Sequence, residues 1–336
     1  MLILYIYYIP GGTKIEYRKL ISFGKSSFVI SLPKTWIRQN KLKKGDLISL
    51  EASKSSLIMH AQLQEKKNAG LSRTIQIDKK SLKQIQREII TSYINNYKTI
   101  ILMGDSIKEY ATKIKEFIQL LVALEIVEQD NKKIVAKDFL NLKDISLSQM
   151  VKKMDVITRS MFSDLKNMFQ EDNYHALYIR DHDINKFRYL VMRISWYGMR
   201  NPTEIYSMYN LDPKVLFDYW QISYCIEQAG DCIKRMARYM RDTKLSSAEQ
   251  KTFVKLIAEI ESAYLLAMKS YYNQDQILAN KVADGFTQML RKSDDFFRDN
   301  HTANFIGFLV QNTKALISNV NNISKVVYQN IQGETG

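Results

Sequence analysis

EYRKLISFGKSSFVISLPKTWIRQNKLKKGDLISLE occupies residues 16 to 51, and its punctuation sets the order of elements at the head of the chain. Lys19–Phe23 and Ser27–Leu32 are short β-rich runs, and Gly24 between them supplies a turn at low steric cost. Pro33 ends the second run and opens a helical turn over Pro33–Gln39, because proline fits the first helical position. Lys43, Lys44, Gly45 and Asp46 read as a turn, and Leu47–Leu50 as a third strand. This strand–turn–strand–short helix–turn–strand unit ends near Gln62 and is too small to bury a core alone. Dimerisation by exchange of hairpins is therefore expected.

The unit is strongly basic. Between Met1 and His60 ten Lys and Arg stand against Glu16, Asp46 and Glu51, a surplus of seven out of a formal charge of +14 for 336 residues. A surplus so concentrated attracts a phosphodiester backbone through counterion release. The candidates to touch double-stranded DNA are Arg18, Lys19, Lys25, Ser26, Lys34 and Arg38, with Lys43 and Lys44 at the rim. Arg18 opens the first strand, where a dimer would present two guanidinium forks to guanine edges or phosphates. Lys25, Ser26 and Ser27 follow the glycine turn within reach of phosphate, and Lys34 and Arg38 lie four apart on the short helix. The plainer reading is a dimerisation device with a basic rim.

The rest of the composition describes an ordinary soluble globular chain of two or three domains, with 46% hydrophobic and 25% charged residues. Only 4 Pro and 12 Gly favour long uninterrupted helices. Cys225 and Cys232 lie seven apart in one expected helix, without a CxxC pattern, which fits buried thiols in a reducing cytoplasm. No apolar run approaches the roughly 20 residues needed to span a bilayer, so no membrane insertion is expected. The leader, residues 1–13, is apolar but short, lacks a basic start, and is read as non-functional. No Gly-rich phosphate loop, HExxH or nucleophile elbow occurs, so no enzyme is expected.

Four segments follow from the pattern: the leader, a hairpin domain over 14–64, an α/β module over 71–142, and a helical bundle over 145–332. EKKNAG (Glu65–Gly70) reads as the linker. In the module Thr74–Ile77 and Thr99–Met103 are strands, Lys80–Tyr97 and Ile107–Leu124 helices, and Glu125–Gln129 with Lys133–Ala136 a hairpin. The order βαβαββ suggests a small sheet with helices on one face. Met103–Ser106 precedes a helix N-terminus, where an anion or a plain turn would fit. Beyond Ile145 six helices are expected, Ser146–Phe169, Asn173–Gly198, Pro213–Asp242, Ala248–Tyr272, Gln276–Asp299 and Ala303–Gln332, as two repeats of three. Asp212-Pro213 and Ser246-x-x-Glu249 mark the starts of the third and fourth.

Two of these helices carry acidic pairs beside their seams. On the third, Leu216, Tyr219, Ser223, Ile226, Gly230, Ile233, Ala237 and Met240 alternate three and four apart, and Glu227 and Asp231 stand one step beyond. The second has a seam of Leu177, Arg180, Ile184, Phe187, Val191 and Ile194, with Asp181 and Asn185 one step beyond. Antiparallel packing would gather Asp181, Glu227 and Asp231 into an oxygen cluster suited to Mg²⁺, Mn²⁺ or Fe. The alternative is that they are solvated or bound to nearby Lys and Arg.

IEQAGDCIKRMA (Ile226–Ala237) resembles the ERIGDxAxxIA signature of the PhoU family, and RDHDINKFRYLV (Arg180–Val191) is similar to that family's preceding helix. ISLP and KKGD at the head are spaced as in swapped-hairpin DNA-binding domains of the AbrB/SpoVT type. The order as a whole resembles archaeal phosphate uptake regulators that fuse the two. The resemblance implies a six-helix bundle of two repeats, a role in transcription tied to phosphate, and iron or zinc clusters on the acidic motifs. Glu227 and Asp231 match one motif and Asp181 its partner, whereas Asn185, Ser318 and Asn322 stand where further acids are expected, with Asp284 the one acid on the fifth helix. The reading is thus a cytoplasmic, dimeric or higher-order DNA-binding regulator whose bundle senses state or binds a partner. Its alternative is an adaptor contacting a phosphate transporter or signalling protein, the hairpin serving dimerisation alone. His175 and His182 share a helix, and His182 lies between Asp181 and Asp183; an exposed polar patch is the plainer account of them.

Overall fold

The computed structural model of the protein describes residues 17–25, 27–52, 57–61 and 71–329. The leader, Ser26, the linker Glu65–Gly70 and the last three residues of the expected sixth bundle helix lie outside the described residues. The chain divides into two compact units, Met1–Lys67 and Asn68–Gly336. It is mainly helical: small β-sheets and an α/β module precede a bundle of six long helices.

In the first unit β1 (Ile21–Phe23) and β2 (Ser27–Val29) pair antiparallel, Ser22 opposite Phe28. Gly24 turns between them at φ +70°, a left-handed conformation that glycine adopts without a Cβ penalty. Both strands are shorter than their apolar runs. Helix α1 (Lys34–Gln39) starts one residue after Pro33, whose carbonyl accepts from Ile37 N at 3.1 Å. The third strand begins two residues later than the apolar run suggests, as β3 (Ser49–Ala52), because Asp46 and Gly45 hold the preceding turn. It pairs antiparallel with β4 (Leu57–His60), a strand the sequence did not announce.

The second unit begins with the α/β module: β5 (Ser72–Gln76), α2 (Leu82–Ile94), β6 (Thr99–Met103), α3 (Ile107–Gln119), β7 (Leu124–Gln129) and β8 (Lys133–Asp138). The sheet order is β5-β6-β8-β7, with β5 and β6 parallel and the other neighbours antiparallel. Period-two alternation places Ile75, Leu102 and Ile134 in one buried row and Ile100 and Ala136 in the next, against Ile85 and Ile89 of α2 and Ile114 and Ile118 of α3. The turn at 103–106 holds an anion of the chain's own, since Asp78 accepts from Asp105 N, Ser106 N and Ser106 Oγ.

The bundle comprises α4 (Leu147–Asn167), α5 (Tyr174–Arg200), α7 (Pro213–Met240), α8 (Ser247–Asn273), α9 (Gln276–Asp299) and α10 (Ile306–Gln329), with a short α6 (Pro202–Tyr209) after α5. The sequence had no place for α6, which Pro202 starts and Asn210 ends in a left-handed turn. Both boundary signals operate: Asp212 Oδ1 accepts from Val215 N, and Ser246 and Glu249 form a reciprocal capping box. Helices α4, α5 and α7 pack on one another, as do α8, α9 and α10, and α7 packs along α10. The α7 seam is buried, apart from a half-buried Tyr219. At its centre Gly230 admits α5: a Cβ there would lie 2.9 Å from Ile184 Cδ1.

One ion pair ties α5 to the module. Arg193 and the Asp138 side chain are wholly buried, with Arg193 Nη1 3.0 Å from Asp138 Oδ1 and Nη2 2.6 Å from Oδ2. The same guanidinium lies 4.4 Å from the Tyr93 ring centroid and donates to Asn96 Oδ1. Lys98 adds a 2.7 Å contact to Asp138. Burial alone would raise the Asp138 carboxyl, yet Arg193 and Lys98 hold it below its ordinary value.

Candidate functional site

In the first unit the candidate cations are distributed over local elements that present them outward. Arg18 and Lys19 precede β1 rather than opening it, Lys25 sits in the hairpin turn, and Lys34 and Arg38 lie a helical turn apart on α1. Lys43 and Lys44 lie on the turn that Asp46 Oδ2 closes by accepting from Lys43 N at 2.7 Å. Ser26 is outside the described residues. Each of the seven described candidates is exposed. No ion pair among the described residues engages Lys19, Lys25, Lys34, Arg38, Lys43 or Lys44.

The same unit leaves its apolar side chains in water. Phe23 is 71% exposed, Phe28 67% and Leu47 70%, and no described side chain of this unit is buried. A two-stranded ribbon with both faces wet is marginal by itself. Unpaired cations beside unburied aromatics thus define a surface with two demands, counter-charge and cover.

In the bundle, antiparallel α5 and α7 do bring Asp181, Glu227 and Asp231 to one face, but Lys and Arg side chains occupy the space among them. Lys234 Nζ lies 2.7 Å from Asp181 Oδ2 and 2.9 Å from Asp231 Oδ1, and Arg235 also pairs with Asp231. Arg188 Nε approaches Glu227 Oε2 at 3.4 Å, and Gln228 Nε2 donates to that oxygen at 2.8 Å. Asn185 donates to the backbone carbonyl of Asp181 at 2.9 Å. Burial raises the carboxyls of Asp181 and Glu227 despite these partners. Burial works against the Lys234 charge, but the two carboxylates outweigh it and hold the ammonium above its ordinary value.

This donor set does not fit a metal. A bound cation would have to displace Lys234, and no group of three or more His, Cys, Asp or Glu among the described residues is arranged to hold one. On α10, where the resemblance expects further acids, stand neutral groups: Ser318 donates to Lys314 O, and Asn322 accepts from Lys325. His182 packs against Tyr178 with ring centroids 4.4 Å apart and planes tilted by 47°, and burial lowers its imidazole below the ordinary value. It lies on a groove of about 800 Å³ where α5 faces α2 and α3, whose Lys113 and Lys186 are already paired with Glu116 and Asp183. Cys225 and Cys232 are free, buried thiols, pushed up by burial to about 12 and about 11.

The alternative, carboxylates bound to nearby Lys and Arg, is the arrangement present, and its cations are Lys234, Arg235 and Arg188, which motif reading did not name. Their signal was present: Lys234 and Arg235 follow Asp231 at three and four residues, the spacing at which helical side chains meet. Among the described residues no helix is long and apolar enough to cross a membrane. No family model matches the chain, and no curated protein and no solved structure matches it.

Proposed function

We propose that the chain is a dimeric DNA-binding transcriptional regulator linked to phosphate uptake, acting in the cytoplasm, its first unit being a swapped-hairpin domain. The observation that carries this reading is the pairing of exposed Lys19, Lys25, Lys34, Arg38, Lys43 and Lys44, which have no ion pair among the described residues, with an apolar set that one copy leaves uncovered. Exchange of hairpins between two copies would cover Phe23 and Phe28 and set two basic edges side by side. Duplex DNA, with one charge per ~1.7 Å of axis, supplies the missing counter-charge. Lys34, Arg38, Lys43 and Lys44 would hold phosphates, and Arg18 and Lys25 would reach toward the grooves.

The packing of α4, α5 and α7 as one group and α8, α9 and α10 as another supports a bundle of two three-helix repeats. In this reading the bundle senses state through a partner, with Lys234 and Arg188 filling the place a metal cluster would take. The link to phosphate uptake rests on the resemblance in IEQAGDCIKRMA and in the head. Occupancy mapped across the genome with and without phosphate tests it. Peaks beside transporter operons that move with phosphate are expected; a chain that occupies no DNA yet co-purifies with a transporter would return the head to dimerisation alone.

A further inference from the structure

The two edges of the α/β sheet are treated differently. On one, β7 carries a bulge between Ile126 and Glu128 and presents Glu125 and Glu128, devices that discourage another strand from pairing. On the other, β5 has no bulge and carries a single charged residue, Arg73. Its five residues stay in unbroken register with β6, and no strand among the described residues pairs with its outer edge. The direction of its free groups follows from alternation. Ile77 N donates inward to Met103 O at 2.9 Å and Leu71 O accepts inward from Lys98 N at 2.9 Å, so the backbone N–H and C=O of Ser72, Thr74 and Gln76 point outward.

Along this edge runs a groove of about 470 Å³, walled by Arg73 on β5 and by Gln84, Arg87, Glu88 and Thr91 of α2, with Asn95 at that helix's C-cap. The α2 residues are spaced three and four apart and form one face of that helix. Glu88 is neutralised by Lys80 at 2.6 Å, whereas no hydrogen bond or ion pair among the described residues engages the Arg73 or Arg87 guanidinium. An open strand edge with a helix beside it is the geometry by which extended peptides add a strand, main-chain bonds giving affinity and side-chain contacts giving selectivity.

We propose that the groove between β5 and α2 binds an extended acidic peptide segment of a partner protein, which adds to the sheet as a fifth strand beside β5. The outward groups of Ser72, Thr74 and Gln76 form the ladder, and Arg73 and Arg87 take carboxylates from alternate residues on the helix side. A second copy of this chain suits the edge less well, since two-fold pairing of β5 with itself would bring two Arg73–Arg87 pairs together. This site is independent of DNA binding by the first unit.

The test uses the full chain and a labelled heptapeptide of alternating glutamate and valine, with the lysine–valine heptapeptide as control. Binding is followed by fluorescence anisotropy, and backbone protection by amide hydrogen exchange. Saturable binding of the acidic peptide alone is expected, with slowed exchange confined to the segment around Thr74. R87E should weaken it about fivefold or more, the scale of about 1 kcal/mol for a partly exposed charge pair. T74P, which removes an outward donor, should abolish the exchange protection. R87E lies on an exposed helix face and keeps the test decisive if T74P fails to fold. Equal binding of both peptides, no change at Thr74, or concentration-dependent protection of that segment without peptide would each overturn the proposal, the last in favour of self-pairing.

Discussion

The first unit and the bundle use the same side chains in opposite ways. In the bundle Lys234, Arg188 and Arg193 are each set against a carboxylate, and hydrophobic burial surrounds them. In the first unit Lys34 and Arg38 face water four residues apart, and Phe23 and Phe28 are as wet as they are. The bundle sets these cations against its own carboxylates and buries its α7 seam, whereas the first unit leaves both its cations and its aromatics facing outward. In the proposed reading that difference marks the first unit as the part that another molecule covers.

The largest effect should come from breaking the completed side. Arg193→Met leaves the buried Asp138 carboxylate without its main partner, and truncating one member of such a pair typically costs about 3–5 kcal/mol. Denaturant unfolding should show that loss. Because Asp138 is held below its ordinary value, the pair's contribution is fully present above the unfolded carboxylate value of about 3.9 and is lost as pH falls through the folded value. The stability gap between Asp138→Asn and the parent should therefore close in acid.

Reversing the first unit's charges should leave stability alone. Lys34→Glu with Arg38→Glu should lower duplex affinity by about 100-fold, roughly 2.7 kcal/mol, with an unchanged melting temperature. A drop in melting temperature would mean that these side chains hold the fold rather than face a partner.

Lys234→Met sharpens the comparison from within the bundle. Asp181 and Asp231 would face each other without the intervening ammonium, and about 2 kcal/mol should be lost, the penalty of an unpaired buried charged group. If added Mg²⁺, Mn²⁺ or Zn²⁺ restored the melting temperature of this variant, the lysine would be shown to stand in for a cation.

The smallest effect belongs to Glu227. Burial raises its carboxyl, so the folded state favours the protonated form, and the cost of ionisation appears as pH rises through the ordinary carboxylate range to the folded value. Glu227→Gln should thus gain on the parent in melting temperature as pH rises above the ordinary carboxylate value of about 4. A fixed difference across that range would mean that Arg188 cancels the cost.

Long periodic segments carried their own boundaries. Asp212-Pro213 and Ser246-x-x-Glu249 start helices where the sequence places them, and the α7 seam from Leu216 to Met240 faces the core. Short elements were less legible. Strand β4 spans only four residues and α6 only eight, too few for a period to emerge. Antiparallel packing brings the acidic residues to one face, but long flexible cations fill the space among them, and the spacing of Lys234 and Arg235 three and four residues beyond Asp231 is the local sign of it. Arg193 has no such local sign: its partner Asp138 lies 55 residues away, a pairing only the packed α5 and module create.

The central claim, that the first unit is completed by nucleic acid, is tested most directly by titrating a labelled DNA duplex with the full chain at increasing KCl. The account predicts tight binding at low salt, with log affinity falling linearly against log salt at a slope steeper than about −3, as several released counterions per dimer require. Absence of binding at low salt, or an affinity that salt does not move, would contradict it.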